Sequence, residues 1–307
     1  MMSTREAFGK ALARIGSDER IVVLDADVST STKTSEFRKL YAKRFINFGI
    51  SEENLFGTAI GLAYSGKKVF ASLYAVFALK AYDQLRIIAH DNLDVKTFVS
   101  HAGLTNSTDG WSHQTVEDIA VTRSLPNFKV IVPSDALEAE QVTESAMVID
   151  GPIYVRLSRS ESPIIFDNSY RFELGRWRIV EEGSDLAIIA NGNMLSPAIR
   201  ASEMLKKDDI KACVVNASTV KPVDEELVVS LARRTGALVT AEEHSVIGGL
   251  GGAVSEVTSK NYPVPIEFVG IHDSFGQSGK LDELFRHYGL TAESIYEAGK
   301  VALKRKR

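Results

Sequence analysis

The chain has 307 residues, 44% hydrophobic and 25% charged, the balance of an ordinary globular protein long enough for two domains. Its formal net charge of −4 argues against nucleic acid as the main ligand, and the basic end KRKR at 304–307 reads as a solvated tail. One cysteine, Cys213 in the apolar run ACVV, excludes a disulfide scaffold within the chain and reads as a small buried hydrophobe. With no leader-type apolar stretch and no apolar run of about eighteen residues, the expectation is a cytoplasmic protein with no membrane partner.

In chain order, apolar β-type runs alternate with helical patterns. The first half carries RIVVLDAD, KKVFASL, VKTFVSHA, FKVIVPS and PIYVRLS; the second carries SDLAIIAN, IKACVVNA, GALVTAEE and PIEFVGI. Strands apolar on both sides and separated by helices predict mainly parallel sheets covered by helices on both faces. The fold class is therefore α/β, with two such domains. Residues 158–177 are polar, contain Pro163 and lack a helical pattern, which puts the boundary there. The expected division is a first domain over 1–165, a linker over 166–182 and a second domain over 183–307.

Between the first two strand runs lies GISEENLFGTAIGLA, residues 49–63. It reads as a helix with Ser51 at the N-cap and Glu52 and Glu53 in the first turn, where acids complement the helix dipole. Gly57 and Gly61 cost helix propensity and suggest another backbone or a ligand pressing close. A carboxyl at the mouth of so apolar a helix lies partly out of water, which favours a protonated or proton-sharing form.

In open parallel sheets ligands bind beyond the carboxyl ends of the strands. The polar residues at those ends are Asp27, Ser29 and Ser31, then His101 with the loop GLTNSTDGWSHQT bearing Asp109 and His113, then Arg159. Imidazoles, an aspartate and an arginine together suit a small, polyhydroxylated, anionic substrate. Ordinary structure accounts for about half of this feature, with His113 capping a helix near Thr115 and Asp109-Gly110 making a turn. GGLGG at 248–252 lacks the third glycine of a dinucleotide loop and reads as tight helix–sheet packing; FGQSGK at 275–280 is not a phosphate loop, and no G-x-S-x-G elbow occurs. His101 and His113 lack the short-spaced partner of a zinc site, so no metal held by this chain is expected.

The segments NFGISEENLFGTAIGLA, ASLYAVFALKAYDQLR, SHAGLTNSTDGWSHQTVEDIAVTRSLPNFKVIVPSD, YVRLSR, TAEEHSVIGGLGGAVSE and GIHDSFGQSGKLDELFRHYGL follow one another as in the transketolase family. The chain resembles the C-terminal half of a transketolase, the pyrimidine-binding domain followed by the C-terminal domain. The resemblance implies thiamine diphosphate as cofactor, with Glu52 touching N1′ of the aminopyrimidine. A carboxyl group there favours the imino tautomer, whose 4′-nitrogen removes the C2 proton of the thiazolium. It further implies Tyr74 and Phe77 as rings around the aminopyrimidine, Lys80 in place of a third ring, and Asp27 near the cofactor at a subunit boundary. His101 and His113 correspond to histidines that contact substrate hydroxyls and carbonyl, Asp109 to a reader of a donor hydroxyl, and Ser31 and Arg159 to a phosphate-binding pair. Glu53 stands where histidine is common and receives no catalytic role.

The chain has no G-D-G segment to hold Mg²⁺ and the cofactor diphosphate. The resemblance therefore implies the C-terminal subunit of a two-subunit transketolase, active only with a partner N-terminal subunit that ligates the Mg²⁺. The reaction implied is two-carbon ketol transfer from a ketose phosphate to an aldose phosphate, in a homodimer of this chain within an α2β2 complex. Two alternatives are the β-subunit of a thiamine diphosphate-dependent 2-oxoacid dehydrogenase and a non-catalytic assembly subunit.

Overall fold

All nine apolar runs form strands in the computed structural model, which describes residues 1–306. In chain order the strands are β1 (Met2–Ser3), β2 (Ile21–Asp25), β3 (Phe45–Asn47), β4 (Lys68–Tyr74), β5 (Val95–Ser100), β6 (Lys129–Ile131) and β7 (Ile153–Arg156). They continue with β8 (Glu161–Ser162), β9 (Arg178–Glu181), β10 (Leu186–Ala190), β11 (Ala212–Asn216), β12 (Thr219–Lys221), β13 (Leu238–Ser245) and β14 (Ile266–Ile271). Seven build one sheet in the order β12-β6-β7-β5-β4-β2-β3, and five build a second in the order β14-β13-β10-β11-β9. All pairings in these two sheets are parallel except β12 on β6 and β9 on β11.

Strands β2, β5, β10 and β11 are buried along their whole length, the consequence of helices on both faces of each sheet. Each sheet accordingly has two hydrophobic cores, one per face. In the core behind the first sheet, Phe98 of β5 stacks on Phe8 at 4.5 Å between centroids and lies 5.7 Å from Phe70. That packing fixes the strand that leads directly into His101. The backbone then breaks into the left-handed region at His101 (φ 60°), as it does at Asp27 (φ 64°) just beyond β2. Both residues are thereby turned at the carboxyl edge of the sheet, in a conformation uncommon for residues other than glycine.

Two expectations need correction. The stretch 166–182 is not linker throughout, because Arg178–Glu181 is the antiparallel edge strand of the second sheet. Trp177 anchors it, buried and donating its indole N–H to the Thr219 carbonyl at 2.8 Å. Second, the division at 183 is not clean, since β12 crosses over to extend the first sheet. Among the described residues, nothing beyond their own helix backbone and chain neighbours lies within 4 Å of a Cβ built on Gly57 or Gly61. Their helix, Glu52–Tyr64, buries Glu52, Leu55, Phe56 and Ala59 and leaves the glycine face open, flanked by exposed Ile50 and Tyr64. Ser51 sits at its N-cap, although its hydroxyl caps nothing.

Two packing details follow the sequence. Gly251 is needed for close packing, a Cβ there falling 2.4 Å from the Phe268 ring, and Cys213 is buried. Among the described residues no helix is long and apolar enough to cross a membrane. Because Phe98 supports β5 from within the core, Phe98→Ala should lower the unfolding free energy by about 3–5 kcal/mol. Denaturant titration of the purified chain checks this.

Candidate active site

The carboxyl ends of β2, β4, β5 and β7 open onto one side of the first sheet, and the polar residues expected there converge. Glu52 enters from the mouth of its helix, only 3% exposed, and its carboxylate accepts a hydrogen bond from Lys80 Nζ at 2.8 Å. The carboxyl thus meets a cation rather than an apolar mouth, and the contact raises Lys80 above the ordinary lysine value. The Lys80 ammonium also lies 5.9 Å from the centre of the Phe77 ring. Phe77 stacks with Tyr74 at 5.5 Å and an interplanar angle of 12°, and both rings are half-buried. Tyr74 stacks in turn on His101 at 3.8 Å, and Phe77 meets the edge of His113 at 5.4 Å. The two aromatic rings thus connect both histidines, and Lys80 links the Phe77 ring to Glu52.

His101 is buried, and Arg5 Nη1 lies 3.4 Å from its Nε2 while Ser100 Oγ lies 2.8 Å from its Nδ1. A guanidinium can only donate, so Nε2 accepts and the ring proton is assigned to Nδ1. Burial, followed by the charges of Arg5 and Arg159, pulls the imidazole down to about 3. His101 is thus neutral at physiological pH and serves as a hydrogen-bonding group of fixed tautomer. His113 is more exposed and bonded to Ser112 Oγ at 3.0 Å. Asn106, buried beneath the loop, donates to the carbonyls of both His101 and His113 and so sets their spacing.

Arg159 Nη1 donates to Asp109 at 3.0 Å, so the residues expected to read a phosphate and a hydroxyl are paired with each other. Ser31, on the short helix Ser29–Thr32, contributes its carbonyl to Arg5 Nη1 at 2.8 Å. Asp27 lies at the exposed rim, exchanging hydrogen bonds with the Asn47 side chain at 3.0 and 3.1 Å. Among the described residues no cluster of three or more His, Cys, Asp or Glu could hold a metal ion.

The family model of the transketolase pyrimidine-binding domain matches residues 1–164, and that of the transketolase C-terminal domain matches residues 175–295. The chain belongs to the transketolase family. It is 44% identical to a putative transketolase C-terminal section from Methanocaldococcus jannaschii, over 95% of this chain and 93% of that protein. It is 39% identical to a 6-deoxy-6-sulfo-D-fructose transketolase subunit from a Clostridium species, over 94% of this chain and 90% of that one. Rat transketolase is 36% identical over 97% of this chain, which spans only 49% of that protein. Among solved structures, a chain described as a split-gene transketolase, inactive β4 tetramer, superposes with a TM-score of 0.91 at 47% identity, covering 100% of this chain and 99% of that one. The chain is thus a transketolase-family C-terminal subunit with the fold of a split transketolase half.

Sequence reasoning missed Arg5, whose guanidinium faces His101 and Ser31 and whose buried Nε has no hydrogen-bond partner among the described residues. Arg5 sits in the first turn of the helix Thr4–Ile15, ahead of every large-sheet strand, so inspecting strand ends could not find it. The capping box of Ser3 and Glu6 was a readable sign of that helix start, though not of what Arg5 reaches. Also missed was Asp25, buried at the end of β2. It accepts hydrogen bonds from Val28 N–H and from the hydroxyls of Thr32 and Thr34 at 2.8–3.0 Å, and so shapes the turn carrying Ser31.

His101 is neutral when folded and takes up a proton near its ordinary value of 6.5 when unfolded. The unfolded state therefore binds more protons below that pH, and the histidine's contribution to stability is lost as pH falls from about 6.5 toward 3. His101→Asn should flatten this part of the stability–pH curve, measured by urea unfolding across the range.

Proposed function

We propose that this chain supplies the pyrimidine side of a split, thiamine diphosphate-dependent active site that transfers a two-carbon ketol unit from a ketose phosphate to an aldose phosphate. The single observation that carries the reading is the grouping of buried Glu52, bridged by Lys80 to the half-exposed Tyr74–Phe77 stack, with buried His101 stacked on Tyr74 beside Arg5. The residues fit the cofactor: a heteroaromatic ring with a protonatable nitrogen asks for flat aromatic neighbours and a carboxyl group at its edge. When bound, thiamine diphosphate supplies the carbon nucleophile that takes up and gives back the two-carbon unit.

The chain's own residues have separate tasks. Glu52 holds a hydrogen-bonded proton at the cofactor's ring nitrogen, which requires Lys80 to yield its place on the carboxylate. Tyr74 and Phe77 line the pyrimidine, and Asp27 lies at the rim toward the neighbouring subunit. His101 and His113 hold the substrate's oxygens as hydrogen-bond partners, His101 without a charge of its own. Asp109 reads a donor hydroxyl, and Arg159, with Ser31 and Arg5, grips the anionic end of the sugar. The relatives' names support an anionic sugar, since one acts on 6-deoxy-6-sulfo-D-fructose and another is an apulose-4-phosphate transketolase subunit. Guanidinium N–H groups donate to phosphate and sulfonate oxygens alike. The 2-oxoacid dehydrogenase alternative is not favoured, because the relatives named above are transketolase sections and subunits.

In the same reading the Mg²⁺ and the cofactor diphosphate are held by a separate N-terminal subunit, and this chain is the homodimeric centre of an α2β2 complex. The open glycine face of the helix Glu52–Tyr64, with Ile50 82% exposed beside it, supports burial against a second subunit. Gly57→Arg should therefore split the assembly while leaving the second domain folded, as read by light scattering and circular dichroism. A fully active monomer would refute this arrangement.

The chemistry is tested by mixing the chain with its N-terminal partner, thiamine diphosphate and Mg²⁺ and assaying ketol transfer between sugar phosphates. Glu52→Gln should lower the turnover by about 10²–10⁴-fold. No transfer by a folded wild-type complex would remove the reading.

A further inference from the structure

The loop 103–115, which carries Asp109 and His113, is held at both ends from the second domain. At its start the Leu104 N–H donates to Glu243 Oε1 at 2.6 Å, and Gly103 packs so closely that a Cβ would fall 2.2 Å from that oxygen. At its end Arg156 Nη2 donates to the carbonyls of Thr115 (3.2 Å) and Glu243 (2.9 Å), and Ser245 N–H donates to the Val116 carbonyl at 2.7 Å. Gly103 and Thr115 bridge to each other, so the loop is closed at its base, and that base sits on β13. Glu243 is fully buried, and its second oxygen accepts from Asn193 Nδ2 at 2.7 Å. Burial pushes its carboxyl up, against the pull of Arg156, Asn193 and the Leu104 N–H.

We infer that Glu243 is a positioning residue for the sugar-handling loop, and that through it the second domain sets substrate geometry rather than serving assembly alone. The inference rests on the reading of 101–113 as the substrate loop. A buried carboxyl group is costly unless its oxygens are hydrogen-bonded, and here Leu104 N–H and Asn193 Nδ2 each serve one of them. That cost makes the Leu104 N–H a required partner and fixes where the loop begins. Glu243's hydrogen bonds go to Leu104, Asn193 and Arg156, not to the Tyr74–Phe77 stack or Glu52, so its effect should divide substrate from cofactor.

The test uses the whole chain and its reconstituted complex, with Glu243→Ala, Glu243→Gln and Glu243→Asp. Gln keeps an oxygen for the Leu104 N–H at the same reach; Asp keeps the charge but falls short. By hydrogen exchange on the chain, amides of 103–115 should exchange at least about tenfold faster in the Ala variant, with the core amides of β10 unchanged. Asp should show the same loosening to a smaller degree, and Gln should restore most of the protection. In the complex, kcat/KM for the sugar phosphate should fall by about 10–100-fold in the Ala variant while thiamine diphosphate affinity stays within about twofold. If the Ala variant does not fold, the Asp and Gln pair decides. Unchanged loop exchange in a folded Ala or Asp variant, a Gln variant as loose as Ala, or cofactor affinity falling together with kcat/KM would overturn the inference. A folded wild-type complex without ketol transfer would defeat the functional reading alone, since exchange on the chain still reports whether Glu243 holds the loop.

Discussion

A guanidinium buried where the two domains meet sets the terms for the rest of the molecule. Arg156, the last residue of β7, bonds through Nε to both oxygens of Asp118 at 3.0–3.1 Å and through Nη2 to two carbonyls, one in each domain. Burial works against its charge, yet Asp118 and Glu243 outweigh it and hold the arginine above its usual value. Tyr154 donates its hydroxyl to the same aspartate at 2.9 Å, and burial keeps the phenol protonated. Removing one partner from such a pair leaves an uncompensated charge and costs about 3–5 kcal/mol. The helix beginning at Asp118, the end of the loop at Thr115 and the strand carrying Glu243 are therefore fixed relative to β7 as one unit.

From that unit the electrostatics of the candidate site follow. Two arginines, Arg5 and Arg159, stand near a buried imidazole, and their positive field together with burial keeps His101 uncharged. An uncharged His101 leaves the cationic work to the arginines, which suits recognition of an anion beside a region of hydroxyl-reading hydrogen bonds. On the other flank, among the described residues, the only cation within bonding distance of Glu52 is Lys80, on a flexible and half-exposed stem. A contact of that kind can be exchanged for a ring nitrogen at modest cost, whereas a bidentate arginine held from both sides cannot.

Much of this was legible in the sequence, and what was not has a physical reason. The nine strands were readable because a strand covered on both faces must be apolar throughout, and the residues at their carboxyl ends were readable because the chain turns there. Glu52 stood out through the apolar helix behind it. Strands β9 and β12 were missed because they are short, antiparallel and stabilised by long-range partners such as Trp177 and Thr219 rather than by a local pattern. Arg5 and Glu243 were invisible for a similar reason: Glu243 reaches Leu104 across 139 residues of sequence and Arg5 reaches His101 across 96. The glycines at 57 and 61 form a face that this chain leaves open, so the sequence pattern there has no partner among the described residues. A pattern of small residues announces close approach without saying which molecule approaches.

The central claim is that half of a cofactor site resides here, the aromatic stack and the carboxyl of Glu52, while the diphosphate clamp belongs to another polypeptide. Calorimetric titration with thiamine diphosphate and Mg²⁺ tests it most directly, performed on this chain alone, on its N-terminal partner alone and on the two together. The account predicts weak binding to the isolated chain and tight binding to the mixture, lost from the mixture when Glu52 and the Tyr74–Phe77 stack are replaced. Tight, Mg²⁺-dependent binding by this chain alone would contradict it.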